Sequence, residues 1–499
     1  MLKIGSGIFL PISSLPSKYG IGTFGKEAYE FVKLLHKSGQ KYWQILPIGP
    51  VSYGDSPYSS FSSFAGNPYF IDLEMLIEEG LISEEDCFSL NLADDIEYID
   101  YEKQFYKRYD VLRKAYKNAP ASYERKIYDF KIKNEWVNDY ALFMALKYKN
   151  NQLPWYKWDA DTAGRNREII EKAKYELKEE IDFWIFLQFK FYIQYFDFKK
   201  YAGEKGVSII GDIPIYAAMD SVDVWCNLNI FMFDENYKPS LVAGVPPDAF
   251  SAEGQLWGNP VYNWEYLRKT NFRWWIERIK FSLNLYDAVR IDHFRGFDEF
   301  YAVDYGSLNA VNGKWMKAYG SELFLAVKEH LGNVNVIAED LGIITESVLN
   351  LKESTGFPGM KVLQFAFDGN PLNPYLPSNY ENNCVAYTGT HDNDTLKGWF
   401  EKLENDKKQF VLNVLGIKGD IFNGTNDIMW EIIKSIYSSK ASLCIVPLQD
   451  FLCLGSSARI NTPSTLGNNW AWRVRKELLT NSLADKIKEI TVSSSRENK

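Results

Sequence analysis

Short apolar runs that end in polar residues alternate along the chain with longer segments whose apolar positions recur three or four residues apart. The first apolar run spans 7–12, a segment at helical spacing follows at 24–37, and a second run spans 42–47. Runs of this length are typical of buried strands, and the spacing between them is typical of a helix. The pattern therefore predicts a βαβ unit with parallel strands and a right-handed crossover, with Gly39 at the C-terminal cap of its helix.

Six further apolar runs indicate additional strands, at 206–215, 289–292, 334–340, 361–368, 383–392 and 442–450. Helical patterns at 274–285, 322–331 and 427–437 each lead into one of them. Eight strands alternating with helices predict an α/β fold of the (β/α)8 TIM-barrel type. We expect residues 1–499 to form one catalytic barrel domain.

Two long stretches interrupt this rhythm. The first, 52–200, contains a strand-like run at 68–73 and then reads as helical and charged, so we expect a mainly helical insertion subdomain. The second, 223–263, lacks clear periodicity, and a long loop in a compact domain is typically a lid or a binding loop. The chain after residue 450 is too short for a C-terminal β-sandwich domain, and 493–499 is expected to fray.

The composition limits the kinds of substrate and partner that the protein is expected to have. The chain of 499 residues is 46% hydrophobic and 24% charged, as expected of a soluble globular protein. Its net charge of −9 argues against nucleic acid and anionic membranes as partners and fits a neutral substrate. Five scattered cysteines form no disulfide or zinc pattern, which indicates a reducing cytoplasm, and there is no signal-peptide or transmembrane pattern. Monomer and dimer both remain open.

A glycine motif, G-x-G-x-x-G, occurs at residues 20–25 immediately before the first predicted helix. A dinucleotide-binding site needs a tight strand-turn-helix and an acidic residue at the end of the next strand. Here the strand ends well before Gly20, and the second strand runs into Leu46 and Pro47. We therefore interpret the motif as a glycine-rich turn.

Four predicted strands carry an acidic residue near their C-terminal ends, the end at which TIM barrels place their active sites. These residues are Asp212, Asp292, Glu339 and Asp392. Two carboxyl groups suffice for glycoside cleavage, one attacking the anomeric carbon and the other donating a proton to the leaving oxygen. An adjacent arginine such as Arg290 keeps a carboxylate ionised.

Each of these acids also has a structural interpretation. Asp292 could pair with Arg290 or Arg295, Glu339 and Asp340 could cap a helix after Gly342, Asp392 could cap a helix near Thr395, and Asp212 could simply end its strand. The run 392–394 resembles the start of a calcium loop but lacks the required glycine and distal glutamate. One shared site explains four acidic strand ends better than four independent caps.

Several longer motifs are specific enough to indicate a family. They are GSGIFLPISSLPSKYGIGTFG, GDSPYSSFSSFAGNPYFIDL, GDIPIYAAMDSVDVW, AGVPPDAFSAEGQLWGNPVYNW, DAVRIDHFRGF, VIAEDLG, TGTHDNDT and NTPSTLGNNWAWR. With these motifs, which span nearly the whole chain, the sequence resembles the amylomaltases, the 4-α-glucanotransferases of glycoside hydrolase family 77. One departure is Ser464, where the family pattern has glycine.

The resemblance implies a role for each matching residue. Asp292 matches the nucleophile, Glu339 the general acid/base and Asp392 the stabiliser of the transition state. Residues that would hold the nucleophile and bind the glucan are Arg290, His293, His391, Asp212, Tyr58, Asp248, Trp257 and Asn461, and Asp340 is included as a further substrate-binding candidate. The family pattern implies no cofactor and no metal.

The resemblance further implies a retaining transfer of glucan units among maltooligosaccharides and α-1,4-glucans through a covalent glucosyl-enzyme. The alternative is an amylase-type α-glucan hydrolase that uses the same carboxylates. A third hypothesis, a non-catalytic glucan-binding protein, does not explain why a nucleophile and a proton donor occur together. For Arg295 we expect an ion pair that supports the site.

Overall fold

A computed structural model describes residues 3–52, 54–247, 251–418, 424–465 and 467–497 of the protein. Its strands, in chain order, are β1 (Gly5–Phe9), β2 (Tyr42–Gln44), β3 (Ser208–Ile213), β4 (Leu241–Val245), β5 (Gln255–Pro260), β6 (Ala288–Ile291), β7 (Glu299–Asp304), β8 (Lys314–Lys317), β9 (Val336–Ala338), β10 (Gly359–Val362), β11 (Cys384–Tyr387) and β12 (Leu443–Pro447). They form two sheets, one of eight strands and one of four.

The eight-stranded sheet is a parallel barrel with the order β10-β11-β12-β1-β2-β3-β6-β9. Its strands are the eight that the sequence predicts, so the predicted TIM barrel is confirmed. Their residues are almost all buried because helices cover the outside of the barrel, which explains the continuous apolar runs. The observed strands are shorter than the runs, whose polar ends belong to the rim loops.

The helices are α1 (Lys26–Lys37), α2 (Leu73–Glu78), α3 (Glu84–Phe88), α4 (Tyr101–Lys103), α5 (Tyr109–Lys117), α6 (Ser122–Lys133), α7 (Trp136–Lys149), α8 (Ala160–Ala163), α9 (Arg167–Glu176), α10 (Lys178–Glu204), α11 (Val222–Cys226), α12 (Trp264–Lys269), α13 (Arg273–Leu285), α14 (Gly320–Leu331), α15 (Glu346–Thr355), α16 (Leu396–Lys402), α17 (Asn405–Leu415), α18 (Thr425–Tyr437), α19 (Leu448–Phe451) and α20 (Asn481–Ser493). A π-helical segment (Gln104–Arg108) joins α4 to α5. Within the described residues, no helix is long and apolar enough to cross a bilayer.

The seam between β9 and β10 closes the barrel without a regular ladder. Ala338 N donates to Pro358 O (2.9 Å), and one step further the Asp340 carboxylate accepts from Met360 N (2.7 Å). The other Asp340 oxygen accepts from Lys352 Nζ on α15 (2.8 Å). Asp340 is 7% exposed and is engaged on both oxygens, so its contacts give it a structural role in the seam.

Helices α2 to α10 fill the region between β2 and β3, where the sequence predicts helices. The 27-residue helix α10 packs against α7 and lines the outside of the barrel. The strand predicted at 68–73 is wrong: Pro68–Phe70 is a 3-10 turn and α2 follows it. Side-chain caps decide the difference, because Asn67 accepts from Tyr69 N and Asp72 accepts from Met75 N.

A four-stranded antiparallel sheet, the accessory sheet, lies on the rim in the order β5-β4-β7-β8. Its first two strands fall within 223–263, which the sequence analysis treats as irregular. A register shift between Val242 and Gly244 interrupts the pairing of β4 with β5, and such a bulge obscures the alternation that identifies a strand. Pairing with β7, which comes later in the chain, completes the sheet.

The glycine motif forms a turn, as expected. Gly22 lies so close to the first strand-end turn that a Cβ on it would sit 1.9 Å from Ile12 O, and Gly25 precedes α1 as its N-cap. Only a residue without a side chain can lie this close to another segment, so the glycines of this motif allow close packing of the backbone.

The C-terminal residues are better ordered than expected. Arg496 is 4% exposed and donates to Tyr437 O (2.6 Å) and Ser439 O (2.8 Å), so the predicted fraying is wrong as far as residue 497. The described residues after β12 form helices and turns and contain no β-sandwich.

We predict that Asp340→Ala lowers the free energy of unfolding by about 3 kcal/mol, because it removes the close partner of Lys352 and leaves that ammonium group only the longer contact with Glu381 (3.9 Å). Denaturant unfolding measures this change, and hydrogen exchange at Met360 N should accelerate because its acceptor is lost. The control is Asp129→Ala in the exposed pair with Arg125, which should change stability by less than about 0.5 kcal/mol. Equal effects of the two substitutions would contradict the role of Asp340 in the seam.

Candidate active site

Three of the predicted acids lie on strands that are neighbours in the barrel. Asp212 lies in β3, Asp292 directly follows β6, and Glu339 directly follows β9. Main-chain bonds extend the ladders to the rim: Asp292 N donates to Ile213 O (3.0 Å) and Glu339 N donates to Ile291 O (3.1 Å). The barrel therefore holds the three carboxylates side by side at its C-terminal end.

The buried guanidinium of Arg290 joins two of them. Its Nη1 donates to Asp212 Oδ2 (2.7 Å) and its Nη2 donates to Asp292 Oδ1 (2.9 Å). Burial alone lowers the pKa of Arg290, but the two carboxylates outweigh it and hold that pKa well above its usual range. Asp292 Oδ2 accepts no hydrogen bond from the described residues, and the side chain is 30% exposed, so this oxygen is free to meet a substrate.

Glu339 is held by two main-chain donors. Oε2 accepts from His293 N (2.7 Å) and Oε1 accepts from Leu341 N (2.9 Å). Burial and the neighbouring Asp292 raise the pKa of Glu339 to about 7, although Arg290 and the two N–H groups oppose the rise. A carboxyl group with such a pKa can donate a proton and later accept one near neutral pH.

His293 shapes the turn between these two acids. Its backbone lies in the left-handed region (φ 51°), which is uncommon for a residue with a side chain and is typical of functional turns. Its imidazole packs edge-on against the Trp257 indole, with 4.8 Å between ring centroids. Burial lowers the pKa of His293 to about 4, so the ring is neutral at neutral pH.

Asp392 reaches the site from the loop after β11. Its carboxylate contacts His391 Nε2 (3.3 Å) and accepts from Asn461 Nδ2 (2.6 Å). Burial by itself raises the pKa of Asp392, but the contact with His391 outweighs it and holds the pKa below the usual range. Burial lowers the pKa of His391, and Asp392 outweighs burial so that the net shift is upward. The pair favours a charged imidazolium beside a carboxylate.

Tyr58 connects this loop to β3. Its hydroxyl donates to Asp212 Oδ2 (2.9 Å), and its ring stacks on His391 with 5.1 Å between centroids. The Trp470 indole lies beside both rings. The other oxygen of Asp212, Oδ1, is buried without a hydrogen-bond partner among the described residues.

The structure thus brings together the side chains of most of the predicted site residues, namely Tyr58, Asp212, Trp257, Arg290, Asp292, His293, Glu339, His391, Asp392 and Asn461. Asp248 lies outside the described residues. The capping alternatives are wrong, since Thr345 caps α15 and Thr395 caps α16. Ser464 has φ 62°, so it lies in a backbone conformation that explains why glycine is expected there.

The expected ion pair of Arg295 is also wrong. Arg295 Nη1 donates to Ile343 O (2.6 Å), and the guanidinium lies over the Trp315 ring, 3.8 Å from its centroid. No carboxylate in the described part of the chain lies within 4.0 Å of it. A main-chain carbonyl and an aromatic face replace the acidic partner.

Sequence reasoning missed two residues that support the Asp392 loop. Arg459 Nη2 donates to Asp392 O (2.5 Å), and its Nε donates to Asn461 O (2.7 Å). Asp450 is buried and accepts from Thr388 Oγ1 (2.6 Å) and Leu396 N (2.7 Å). Asp450 could have been recognised as another acid at the end of a predicted strand. Arg459 could not, because nothing in the sequence near it indicates that it contacts the loop after β11.

A barrel rim with these features defines a class of protein. An unobstructed carboxylate beside an arginine and a second carboxyl group with a pKa of about 7 are the two groups that a retaining glycosidase-type enzyme requires. The third carboxylate, Asp392, is paired with an imidazole, and a carboxylate near the anomeric carbon can stabilise the positive charge of an oxocarbenium-like transition state.

Comparison with known proteins assigns the family. The family model described as 4-alpha-glucanotransferase, glycoside hydrolase family 77, matches residues 10–480. The chain is 54% identical to the 4-alpha-glucanotransferase of Clostridium butyricum over 96% of this chain and 98% of that one, and 43% identical to that of Thermus thermophilus over 94% of each. It matches amylomaltase from Streptococcus agalactiae in complex with acarbose with a TM-score of 0.96 and 42% identity, covering 99% of this chain and 100% of the other. The protein belongs to glycoside hydrolase family 77, the 4-α-glucanotransferases.

The pKa of Glu339 predicts the pH dependence of the enzyme. If Glu339 must be protonated to start the reaction, kcat/KM should fall as the pH rises through about 7, because the proton is then lost. Glu339→Gln should lower kcat/KM on maltotriose by about 1,000-fold and abolish this fall. Glu322→Gln, which changes an exposed glutamate paired with Arg268, is the control and should leave the profile unchanged. A basic limb that persists in Glu339→Gln would assign the titration to another group.

Proposed function

We propose that this protein disproportionates α-1,4-glucans and maltooligosaccharides, with Asp292 as nucleophile and Glu339 as general acid/base. The main support for this activity is that the chain belongs to the 4-α-glucanotransferase family over nearly its full length. The pairing of Asp292 with Arg290 and the two N–H donors of Glu339 support the residue roles. The hydrolase alternative uses the same carboxylates and has no better support.

The first half-reaction forms a covalent intermediate. Asp292 Oδ2 attacks the anomeric carbon of the donor glucan, and the bond from that carbon to the glycosidic oxygen breaks. Glu339 gives its proton to the departing oxygen, so the released chain leaves with a neutral 4-hydroxyl group. Asp392 and the ionised carboxylates nearby stabilise the positive charge that spreads over the anomeric carbon and ring oxygen.

The second half-reaction reverses the proton transfer. The 4-hydroxyl of an acceptor glucan or of glucose loses its proton to Glu339 and attacks the anomeric carbon of the ester. The ester bond to Asp292 breaks, and the carboxylate returns to its contact with Arg290 Nη2. Two inversions at the same carbon retain the α configuration.

Transfer requires that the acceptor compete with water. An acceptor held in subsites reacts with a large effective concentration, and a covered site limits the access of water. We assign this cover to the region 223–263, whose hairpin carries Trp257 over His293 at the rim. Part of this region is a hairpin that pairs with β7 in the accessory sheet, so the cover is held in place by strand pairing.

The cellular location that we propose is the cytoplasm. All five cysteines are free, and four of them are buried, which suits a reducing compartment. An enzyme of glucan metabolism would meet its substrates there.

The reaction type can be read from products. Incubated with maltotriose, the protein should release glucose together with maltooligosaccharides longer than the substrate, whereas a hydrolase would give glucose and maltose alone. Asp292→Asn should lower turnover by roughly 10⁴-fold or more while preserving the fold, as circular dichroism can check. Asp129→Asn, which changes an exposed aspartate paired with Arg125 on α6, is the matched control and should retain most activity. Near-normal turnover of Asp292→Asn would refute its assignment as nucleophile.

The cover hypothesis predicts a change of partitioning. Replacing the nine-residue connection 246–254 between β4 and β5 by Asn-Gly, which forms a two-residue hairpin turn, should lower the ratio of transfer to hydrolysis several-fold. The ratio is measured as longer oligosaccharides formed against reducing ends released. The same replacement of 305–313, between β7 and β8, is the control. An unchanged ratio in the first variant would mean that this hairpin does not exclude water.

A further inference from the structure

Glu339 has an unusual dependence on two separate loops. One N–H donor, from His293, belongs to the turn after β6, and the other, from Leu341, belongs to the loop after β9. Both donors are main-chain groups, so the direction of the carboxylate follows the relative position of the two loops. A shift of either loop would turn the carboxyl group away from the glycosidic oxygen.

Arg295 connects these two loops. It lies in the 3-10 turn Phe294–Phe297, directly after His293, and donates to Ile343 O (2.6 Å) in the loop that carries Leu341. A second tether runs in parallel, because Ser347 Oγ on α15 donates to Asp298 Oδ2 (2.6 Å). The two contacts hold the loop after β9 against the turn after β6.

The accessory sheet covers this connection. The guanidinium of Arg295 stacks on Trp315 of β8, and Trp315 packs edge-on against Tyr301 of β7, with 5.2 Å between centroids. Arg295 is 5% exposed although it has no carboxylate partner within 4.0 Å among the described residues. A cation kept in such a place at a desolvation cost indicates a positional function, since an apolar side chain would fill the space without that cost.

We infer that Arg295 is a positioning residue for Glu339: it cross-links the two loops whose N–H groups orient that carboxyl group, and Trp315 holds it in place. This inference rests on the proposed role of Glu339 as general acid/base. Its effect on Glu339 passes through Ile343 and Leu341.

The electrostatics point the same way. The N–H groups of Leu341 and His293 lower the pKa of Glu339, against burial and Asp292, which raise it, and Arg290 also lowers it. Burial, Asp340 and Glu339 raise the pKa of Tyr375, in the segment after β10, to about 12. Burial lowers the pKa of Arg295, and the charges of Glu299 and Asp298 oppose that shift. Loosening the Leu341 loop therefore removes a lowering contribution, and the pKa of Glu339 should rise.

The test uses two donors that differ in their need for a proton. Maltotriose requires protonation of its leaving oxygen, whereas fluoride leaves α-maltosyl fluoride without that help. Arg295→Met should lower kcat/KM on maltotriose by about tenfold or more, lower that on the fluoride by much less, and move the basic limb of the maltotriose profile to higher pH. Arg295→Lys, which can still donate to Ile343 O, should recover much of the loss.

Controls separate this role from simple stabilisation. Arg268→Met removes another arginine that lies over an aromatic ring, Tyr319, and should change neither donor preference nor pH profile. Trp315→Ala leaves Arg295 present but uncovered and should reproduce its effect more weakly, so it serves also if Arg295→Met does not fold. Wild type against Glu339→Gln establishes independently that the basic limb belongs to Glu339.

Equal losses on both donors with an unmoved basic limb would overturn the inference and leave Arg295 with a purely structural role. Unchanged kinetics in both Arg295→Met and Trp315→Ala would overturn it as well. If Glu339→Gln itself retained the basic limb, the acid/base assignment would fall, a result that the Arg295 variants cannot produce.

Discussion

The site depends on one buried guanidinium that serves two carboxylates. Arg290 binds Asp212 on one neighbouring strand end and Asp292 on its own, and it is 4% exposed. Without it, adjacent acids at the bottom of a barrel rim would repel one another and take up protons, and neither could act as an anion. The two acids hold the arginine in its charged form, and the arginine leaves one oxygen of Asp292 unobstructed. The parallel ladders that join β3, β6 and β9 set the spacing of these side chains.

The barrel and the accessory sheet position different parts of the site around Arg290. The barrel places the carboxylates, because main-chain ladders fix where its strands end. The accessory sheet bears on the turn after β6 through two indoles, Trp257 against His293 and Trp315 against Arg295. The environment of Glu339 is therefore set by main-chain donors whose position depends on tertiary packing. This arrangement explains how an exposed rim can hold the Glu339 carboxyl group in a fixed direction.

The barrel was predictable because a strand buried on both sides leaves an apolar run in the sequence, whatever its partners. The acids at the strand ends were predictable for the same reason, since the rim begins where the run stops. The pairing of β4 with β7 was not, because it depends on contacts between distant segments and a bulge hides the alternation. The seam contacts of Asp340 were not predictable from its place after Glu339, because consecutive residues of an extended chain point to opposite sides. Arg295 lacked any local sign that its partner would be a carbonyl and an indole.

The excess of carboxylates at the rim affects which ligands the site can bind. Asp212, Asp292, Glu339 and Asp392 converge, while Arg290 and the imidazolium of His391 compensate only part of their charge. A site with this excess of carboxylates attracts cations as well as polar neutral groups. Small ring-shaped amines that carry a proton at neutral pH should therefore occupy it more firmly than neutral rings of the same shape, and they should lose that advantage in acid, when Glu339 holds its own proton. We therefore expect this barrel to select ligands by their charge as well as by their hydroxyl pattern.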